Sequence, residues 1–243
     1  MTNTPFRPSA EIYDVVYQHL DYVGTASTVE KVIRDRNPSA TSLLDMSCGT
    51  GLHLEHWRAS FSEVEGADVD SAMLEVARRR LPGVSLHVAD YTEFDLGRTY
   101  DAVTCMFSSI GYVGTPERLD SAFAAMARHL APGGVLIVEP WLLPSMIQPP
   151  FLRVHTAEAD DIVVLRTTRH RYEGDSESGG LSDMEFAYVV TSHDGSEFFT
   201  ERHVMGVFPP ARYVEAGEGA GLDTEFLEGL TELGRGLVVG VKR

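Results

Sequence analysis

Three carboxylates that close short apolar runs are the residues of this chain placed to do chemistry. They are Asp45 in Leu43-Leu44-Asp45-Met46-Ser47-Cys48-Gly49-Thr50-Gly51, Asp68 in Gly66-Ala67-Asp68, and Asp90 in Ala89-Asp90-Tyr91. Gly49 and Gly51 let the backbone turn sharply after Asp45 and approach a ligand before a helix begins near Leu52. A dinucleotide loop has a third glycine and a helix N-terminus that holds pyrophosphate. Here Gly49-Thr50-Gly51-Leu52-His53-Leu54 lacks that glycine, and an acid four positions before Gly49 repels a diphosphate but attracts an ammonium group. Asp68 follows Asp45 by 23 residues, the interval at which an acid after a second strand accepts both hydroxyls of a ribose. The pattern suits a nucleoside that carries an amine. Taken alone, the loop also fits a structural strand-turn-helix corner, and Asp68 an ordinary loop carboxylate, with Asp70 capping the helix that starts at Ser71.

Such residues need a frame that brings strand ends together, and the chain alternates strand and helix to supply one. Ser42 to Met46 precedes a helix Leu52 to Ala59; Glu63 to Asp68 precedes Ser71 to Leu81; Ser85 to Ala89 and Ala102 to Cys105 precede Pro116 to Leu130 and the strand Val135 to Val138. This order implies an α/β fold, a parallel doubly wound sheet with right-handed crossovers, whose ligands sit outside the carboxyl ends of the strands. The last two ends carry Met106-Phe107-Ser108-Ser109 and Glu139-Pro140-Trp141. Before the sheet, residues 9 to 36 predict two helices broken at Gly24 and closed by Asn37-Pro38. After Gly133-Gly134 the alternation stops. Strands are predicted at Ile162 to Thr168, Glu185 to Thr191 and Glu197 to Val204, with turns at Gly174 to Gly180 and Asp194-Gly195. A helix Pro210 to Ala220 and a closing pair near Thr224 to Glu228 and Gly236 to Val241 follow. The organisation is a single domain, 1–243: an N-terminal helical lid 9–36, a core 37–145, an antiparallel β insertion 151–206, and a C-terminal helix and strands 207–243.

The chain has 243 residues, 43% of them apolar, enough for one sizeable core. Its formal charge of −16 argues against nucleic acid as a partner. No apolar stretch reaches membrane-spanning length, and Pro5 and Pro8 fall where a signal peptide needs an apolar block, so a cytoplasmic enzyme is expected. Cys48 and Cys105 give neither a disulfide framework nor a zinc spacing, and the histidines show no ligand spacing, so no metal is expected. Arg78-Arg79-Arg80 favours the end of its helix, as does His129.

The loop, Asp68, Asp90 and His129-Leu130-Ala131-Pro132-Gly133-Gly134 together resemble the class I S-adenosylmethionine-dependent methyltransferases, whose sheet is Rossmann-like. More narrowly, Met106-Phe107-Ser108-Ser109-Ile110-Gly111-Tyr112, Glu139-Pro140-Trp141 and Gly234-Arg235-Gly236-Leu237-Val238-Val239-Gly240 resemble the N,N-dimethyltransferases of nucleotide-linked amino sugars, such as those of desosamine and mycaminose formation. The resemblance implies S-adenosylmethionine as cofactor. Asp45 with the backbone of Ser47, Cys48, Gly49 and Gly51 would hold the methionyl end, Asp68 the ribose, and Met73, Asp90 and Tyr91 the adenine, with Met106 near the sulfonium. Tyr13, Tyr17 and Tyr22 would belong to the lid, where they either contact ligands or pack it.

The implied reaction is in-line displacement of a sulfonium methyl by an amine. A neutral amine is already a good nucleophile, so positioning supplies much of the acceleration. Tyr112 is the first candidate to orient the amine or relay its proton, and Tyr13 the second. Glu139 either attracts an ammonium or serves as a structural acceptor. Tyr17, Ser108, Ser109, Trp141, Arg166 and Arg235 are the substrate-side candidates. The family's basic Gly-Lys-Gly-Lys-Asp-Tyr is shortened here to Gln18-His19-Leu20-Asp21-Tyr22, leaving Arg166, Arg169, Arg171 and Arg235 to meet a diphosphate or to lie as solvated strand charges. A homodimer through the insertion is implied. Two other functions stay open: methylation of a different small acceptor through oxygen or nitrogen, and a methyltransferase-like protein that binds without turnover.

Overall fold

The computed structural model describes residues 7–147, 150–159, 161–175 and 177–243. Helices α1 (Arg7–Tyr17) and α2 (Tyr22–Arg36) lead into β1 (Ser42–Met46), α3 (Leu52–Trp57), β2 (Glu63–Asp68), α4 (Ser71–Arg80), β3 (Ser85–Val88), β4 (Tyr100–Cys105), α5 (Pro116–Arg128) and β5 (Leu130–Val138). Four long strands follow, β6 (Phe151–Ala159), β7 (Ile162–Asp175), β8 (Gly179–Ser192) and β9 (Gly195–Val207), then α6 (Pro210–Gly219), β10 (Leu222–Leu227) and β11 (Leu237–Lys242).

Seven strands form one sheet in the order β10-β11-β5-β4-β1-β2-β3. The strands β1 to β5 are parallel, while β11 runs antiparallel to both β5 and β10. Strand order reverses between β1 and β4, which opens a crevice at their carboxyl ends. Both faces are buried, so the central strands are apolar on both sides. Leu44, Met46, Leu136 and Val138 pack with Phe123, Met126 and Tyr213 on one face. Leu43, Ile137 and Val239 pack with Leu54, Trp57, Leu74 and Ile33 on the other.

The second sheet, β6-β7-β8-β9, is antiparallel throughout. Its inner face packs Val164, Met184, Phe186, Tyr188 and Met205 against Ile12 and Val16 of α1. The lid helix is therefore held between the second sheet and the crevice.

Three sequence expectations are corrected. The break between the first two helices lies at Gln18–Asp21, and Gly24 falls inside the first turn of α2. There it donates to the Asp21 cap at 2.8 Å, and a Cβ at Gly24 would meet that carboxylate at 2.1 Å. Glycine serves the cap and does not end a helix. The insertion has a fourth strand, β6, which was not predicted because its apolar residues Leu152 and Val154 point outward, 81% and 68% exposed. The turn expected at Gly174–Gly180 is tighter, since β7 runs to Asp175 and β8 starts at Gly179. Asp70 caps α4 as expected, accepting from Ala72 N at 2.8 Å.

Candidate active site

Backbone strain marks the crevice. The non-glycine residues with positive φ are Ser47 (62°) after β1, and Phe107 (53°) and Ser108 (65°) after β4. Such residues cost free energy and persist where the surrounding fold over-determines them, commonly at functional sites. Gly51, at φ 83°, begins α3, and a Cβ there would lie 2.6 Å from Leu81 Cδ1. Gly49, at φ 55°, has no heavy atom within 4 Å of the Cβ position, so the loop presents open space at that point. The Cys48 N–H donates to Ala67 O and its carbonyl accepts from Gly51, both at 2.9 Å. Its thiol lies on Gly66. Cys48 thus builds the loop with groups already committed to the fold.

Asp45 and Asp68 are buried side by side without a cationic partner within ion-pair distance among the described residues. Asp45 accepts from Thr104 Oγ1 at 2.8 Å. Asp68 accepts from the N–H groups of Gly49 and Asp70, both at 2.9 Å. Burial pushes the Asp45 carboxyl up to about 8, the Thr104 bond opposing it and the charge of Asp68 adding to it. Burial likewise raises Asp68 to about 6 against its two backbone donors. Such a pair is completed by a ligand that brings a cation to one acid and hydroxyl donors to the other.

The linkage has a direct consequence. A carboxyl whose folded pKa is raised costs stability above its unfolded pKa, here 3.8, so the ligand-free fold should lose stability as pH rises towards about 8. At pH 7 Asp45 is mostly protonated, and engagement of an ammonium group should expel that proton. Calorimetry at pH 7 in buffers of differing ionisation enthalpy should show net proton release on cofactor binding, and Asp45→Asn should abolish most of it.

On the adenine side, Met73 is buried, and the Tyr91 hydroxyl donates to Ser109 O at 3.1 Å. Asp90 also has contacts within the chain. One carboxylate oxygen holds the N–H and hydroxyl of Thr92 at 2.8 and 2.7 Å, and the other lies 3.6 Å from Arg118. It shapes the turn that carries Tyr91. Met106 is core, packed with Leu43, Leu54 and Ile137.

The lid closes over this pocket with aromatic rings. Phe107 stands edge-on to Tyr13 and Tyr17 (centroids 6.2 and 5.1 Å) and 6.3 Å from Tyr22, which also meets His53 at 5.0 Å. The Tyr22 hydroxyl is buried without a hydrogen-bond partner among the described residues. It lines a cleft with His53, Phe107 and Glu139, where a polar ligand would satisfy it. Glu139 is structural at one oxygen, which accepts from Phe107 N at 2.9 Å. The lid is also latched. Asp14 of α1 accepts from Thr50 Oγ1 at 2.7 Å and pairs with Arg80 at 2.5 Å, while Arg80 also donates to Thr50 O. Arg80 therefore does more than favour its helix end.

Two arginines next to α1 and the turn after β4 stand on aromatic rings. The Arg166 guanidinium sits over Phe186 at 4.8 Å and donates to the Tyr17 hydroxyl at 2.9 Å. Arg235 covers Trp141 at 4.5 Å and donates to Ser108, whose hydroxyl in turn donates to Pro140 O at 2.8 Å. Ser108 thus acts through Arg235, and Ser109 through its carbonyl on Tyr91. Of the other arginines expected to meet a diphosphate, Arg169 is on the outer face of the second sheet, paired with Glu185 at 2.7 Å. Arg171 shares that exposed face. Neither shares the inner face of β7 that carries Arg166.

Tyr112 lies in the turn Ser109–Val113, and Gly111 lets that turn lie flat, since a Cβ there would meet Trp141 Cβ and Met205 Cε at 2.9 Å. Tyr112 is 41% exposed, while its hydroxyl lies 2.6 Å from His203 Nδ1. Burial holds the phenols of Tyr13 and Tyr112 well above their ordinary pKa. Phe107, Thr104, Arg80, Glu201 and His203 were not anticipated from sequence. For the last two a signal existed: two polar residues on the strand phase shared by Phe199 and Met205.

Strand order, a strained crevice and paired acids at the carboxyl ends of β1 and β2 define a class I methyltransferase, and residues 43–134 match the family described as "Methyltransferase domain". The chain is 40% identical over 235 residues to the dTDP-3-amino-3,4,6-trideoxy-alpha-D-glucopyranose N,N-dimethyltransferase of Streptomyces venezuelae, covering 96% of this chain and 97% of that protein. It is 37% identical to the dTDP-4-amino-2,3,4,6-tetradeoxy-D-glucose N,N-dimethyltransferase of Saccharopolyspora spinosa, covering 99% and 96%. Among solved structures, Streptomyces venezuelae DesVI superposes with a TM-score of 0.89 at 39% identity, covering 97% of this chain and 98% of that one. CalS10, a SAM-bound amino pentose methyltransferase from Micromonospora echinaspora, gives 0.84 at 35% identity over the whole of both chains. The protein is an S-adenosylmethionine-dependent methyltransferase and belongs to the family of amino sugar N,N-dimethyltransferases.

Proposed function

We propose that this enzyme methylates the amino group of a dTDP-linked deoxyamino sugar in antibiotic biosynthesis. The observation that carries the reading is the pair of guanidinium groups of Arg166 and Arg235, framed by Tyr17, Phe186 and Trp141. In a chain of formal charge −16, two such cations stacked on rings suit a diphosphate and the base or sugar beside it. The relatives named above act on 3-amino and 4-amino sugars of this kind.

S-adenosylmethionine supplies, when bound, a sulfonium methyl that an amine displaces in line. Asp45 attracts the methionyl ammonium, Asp68 accepts the ribose hydroxyls, Met73 and Tyr91 border the adenine, and the open space at Gly49 admits the ligand close to the backbone. Tyr13, Tyr17, Tyr22 and Phe107 exclude water and align the two ligands. Tyr112 and Tyr13, held as phenols, orient the amine through hydrogen bonds and do not act as phenolate bases. The test is a panel of dTDP-linked 3-amino and 4-amino sugars set against free hydroxyl acceptors, with methyl groups counted by mass spectrometry. Methylation of hydroxyls alone would reject the amine reading.

The outer face of the second sheet supports a homodimer. Leu152, Val154 and Phe198 are 81%, 68% and 69% exposed there, and the face's charges at Arg169–Glu185 and Arg202–Asp183 are paired within the chain. A face with exposed apolar residues and mutually paired charges is a surface on which two acidic copies meet at low cost. Light scattering should give twice the chain mass, and Phe198→Lys with Leu152→Lys should return it to the monomer value.

A further inference from the structure

We propose that Tyr112, His203 and Glu201 form a relay that takes the proton from the acceptor's ammonium before each methyl transfer. This rests on the amino sugar reading above. An alkyl ammonium, with an ordinary pKa near that of lysine at about 10.4, arrives protonated at neutral pH and has no lone pair to offer. The enzyme therefore needs a group that can accept a proton and pass it on.

The three residues are ordered for that task. Tyr112 comes from the turn after β4, while Glu201 and His203 lie two residues apart on β9, on its inner phase. Tyr112 Oη is 2.6 Å from His203 Nδ1. His203 Nε2 is 3.4 Å from Glu201 Oε2. With Nδ1 accepting the Tyr112 hydroxyl, the ring hydrogen falls on Nε2, which stands at ion-pair distance from Glu201. His203 is buried, and its ring also meets Phe186 at 4.8 Å, so its orientation is fixed.

The transfer balances. An ammonium N–H bond breaks and its proton joins Tyr112 Oη, as the Tyr112 O–H proton passes to Nδ1. Tyr112 remains a phenol, His203 becomes an imidazolium, and Glu201 stays ionised and stabilises it. The proton leaves by the reverse path through Tyr112 once product has gone. Of the ionisable groups facing Tyr112 from other elements, Tyr13 and Tyr17 of α1 and Tyr188 of β8 are phenols. Arg166 of β7 is a cation bonded to Tyr17, and Asp68 of β2 is anchored at both oxygens by backbone N–H groups, away from the Tyr112 hydroxyl's bond to His203. His203 is the base of the group.

The test compares wild type with His203→Asn, which keeps an acceptor for Tyr112 but cannot hold the proton, and with Glu201→Gln. For His203→Asn, turnover at pH 7 should fall about 100-fold, the lower end of what a placed acid or base supplies. The deficit should shrink steadily towards pH 10, where solvent delivers neutral amine. Tyr112→Phe added to His203→Asn should cost little more, since one path is already broken. A pH-independent loss, or additive losses, would show a packing role and overturn the relay. Nitrogen NMR of the ligand-free protein at pH 7 should show His203 protonated at Nε2 and bare at Nδ1, with the balance shifted in Glu201→Gln; hydrogen on Nδ1 would overturn the relay as well. Wild type inactive on every amino sugar would instead sink the substrate reading, a separate outcome. Cofactor affinity and melting temperature of each variant report whether it folds.

Discussion

Asp68→Ala should weaken S-adenosylmethionine binding by about 1–3 kcal/mol, roughly 5- to 150-fold in Kd. Two losses combine. The ribose hydroxyls lose an ionised acceptor, and the cofactor loop loses the bond from Gly49 N to the Asp68 carboxylate at 2.9 Å. The N–H of Asp70, at the start of α4, loses its partner too. Asp68→Asn separates these terms, because its amide oxygen keeps one backbone donor while the charge is gone. The order of affinity should be wild type, then Asn, then Ala, measured by calorimetric titration. Equal affinity for wild type and Ala would remove Asp68 from the binding site.

Arg166→Met should raise KM for a dTDP-linked acceptor by about 10- to 150-fold, as expected for loss of charge-assisted bonds worth about 1.5–3 kcal/mol. Methionine retains the apolar stem that lies over Phe186, so the change isolates the charge. Turnover at saturation should move by no more than a few-fold, and cofactor affinity should hold. The control is Arg169→Met, on the outer face with Glu185 as partner at 2.7 Å, which should leave KM unchanged. If the two variants behave alike, the acceptor's anionic part is not recognised at Arg166.

How much of this was legible in the sequence follows from the range of the contacts. Asp45, Asp68 and the glycine loop were readable because each lies at the end of its own apolar strand, within a local pattern that a short window captures. The cap at Asp70 is equally local. Gly24 misled because a glycine in a helix-like segment reads as a break, whereas its lack of a Cβ accommodates the Asp21 carboxylate. The β6 strand was hidden because Leu152 and Val154 face outward, so its apolar phase is the reverse of the one a core strand shows. Arg80 reaches Asp14 across 66 positions and Tyr112 reaches His203 across 91. No spacing rule predicts such pairs, since they exist only after both sheets have formed. The inward or outward phase of Arg166 and Arg169, three residues apart, became decidable once the pairing of β7 was known.

In a double methylation of the kind the named relatives carry out, the latch on α1 would set the order of events. Asp14 ties this helix to the loop after β1 through Arg80 and Thr50, while Tyr17, on the same helix, accepts from Arg166 of β7, the proposed acceptor-side cation. One rigid segment is thus the door to both rooms. Spent cofactor would have to leave before a second methyl could arrive, and a movement of α1 that let it out would also break the Tyr17–Arg166 contact. The two methyl groups are therefore expected to be added in separate visits, with singly methylated sugar free in solution between them.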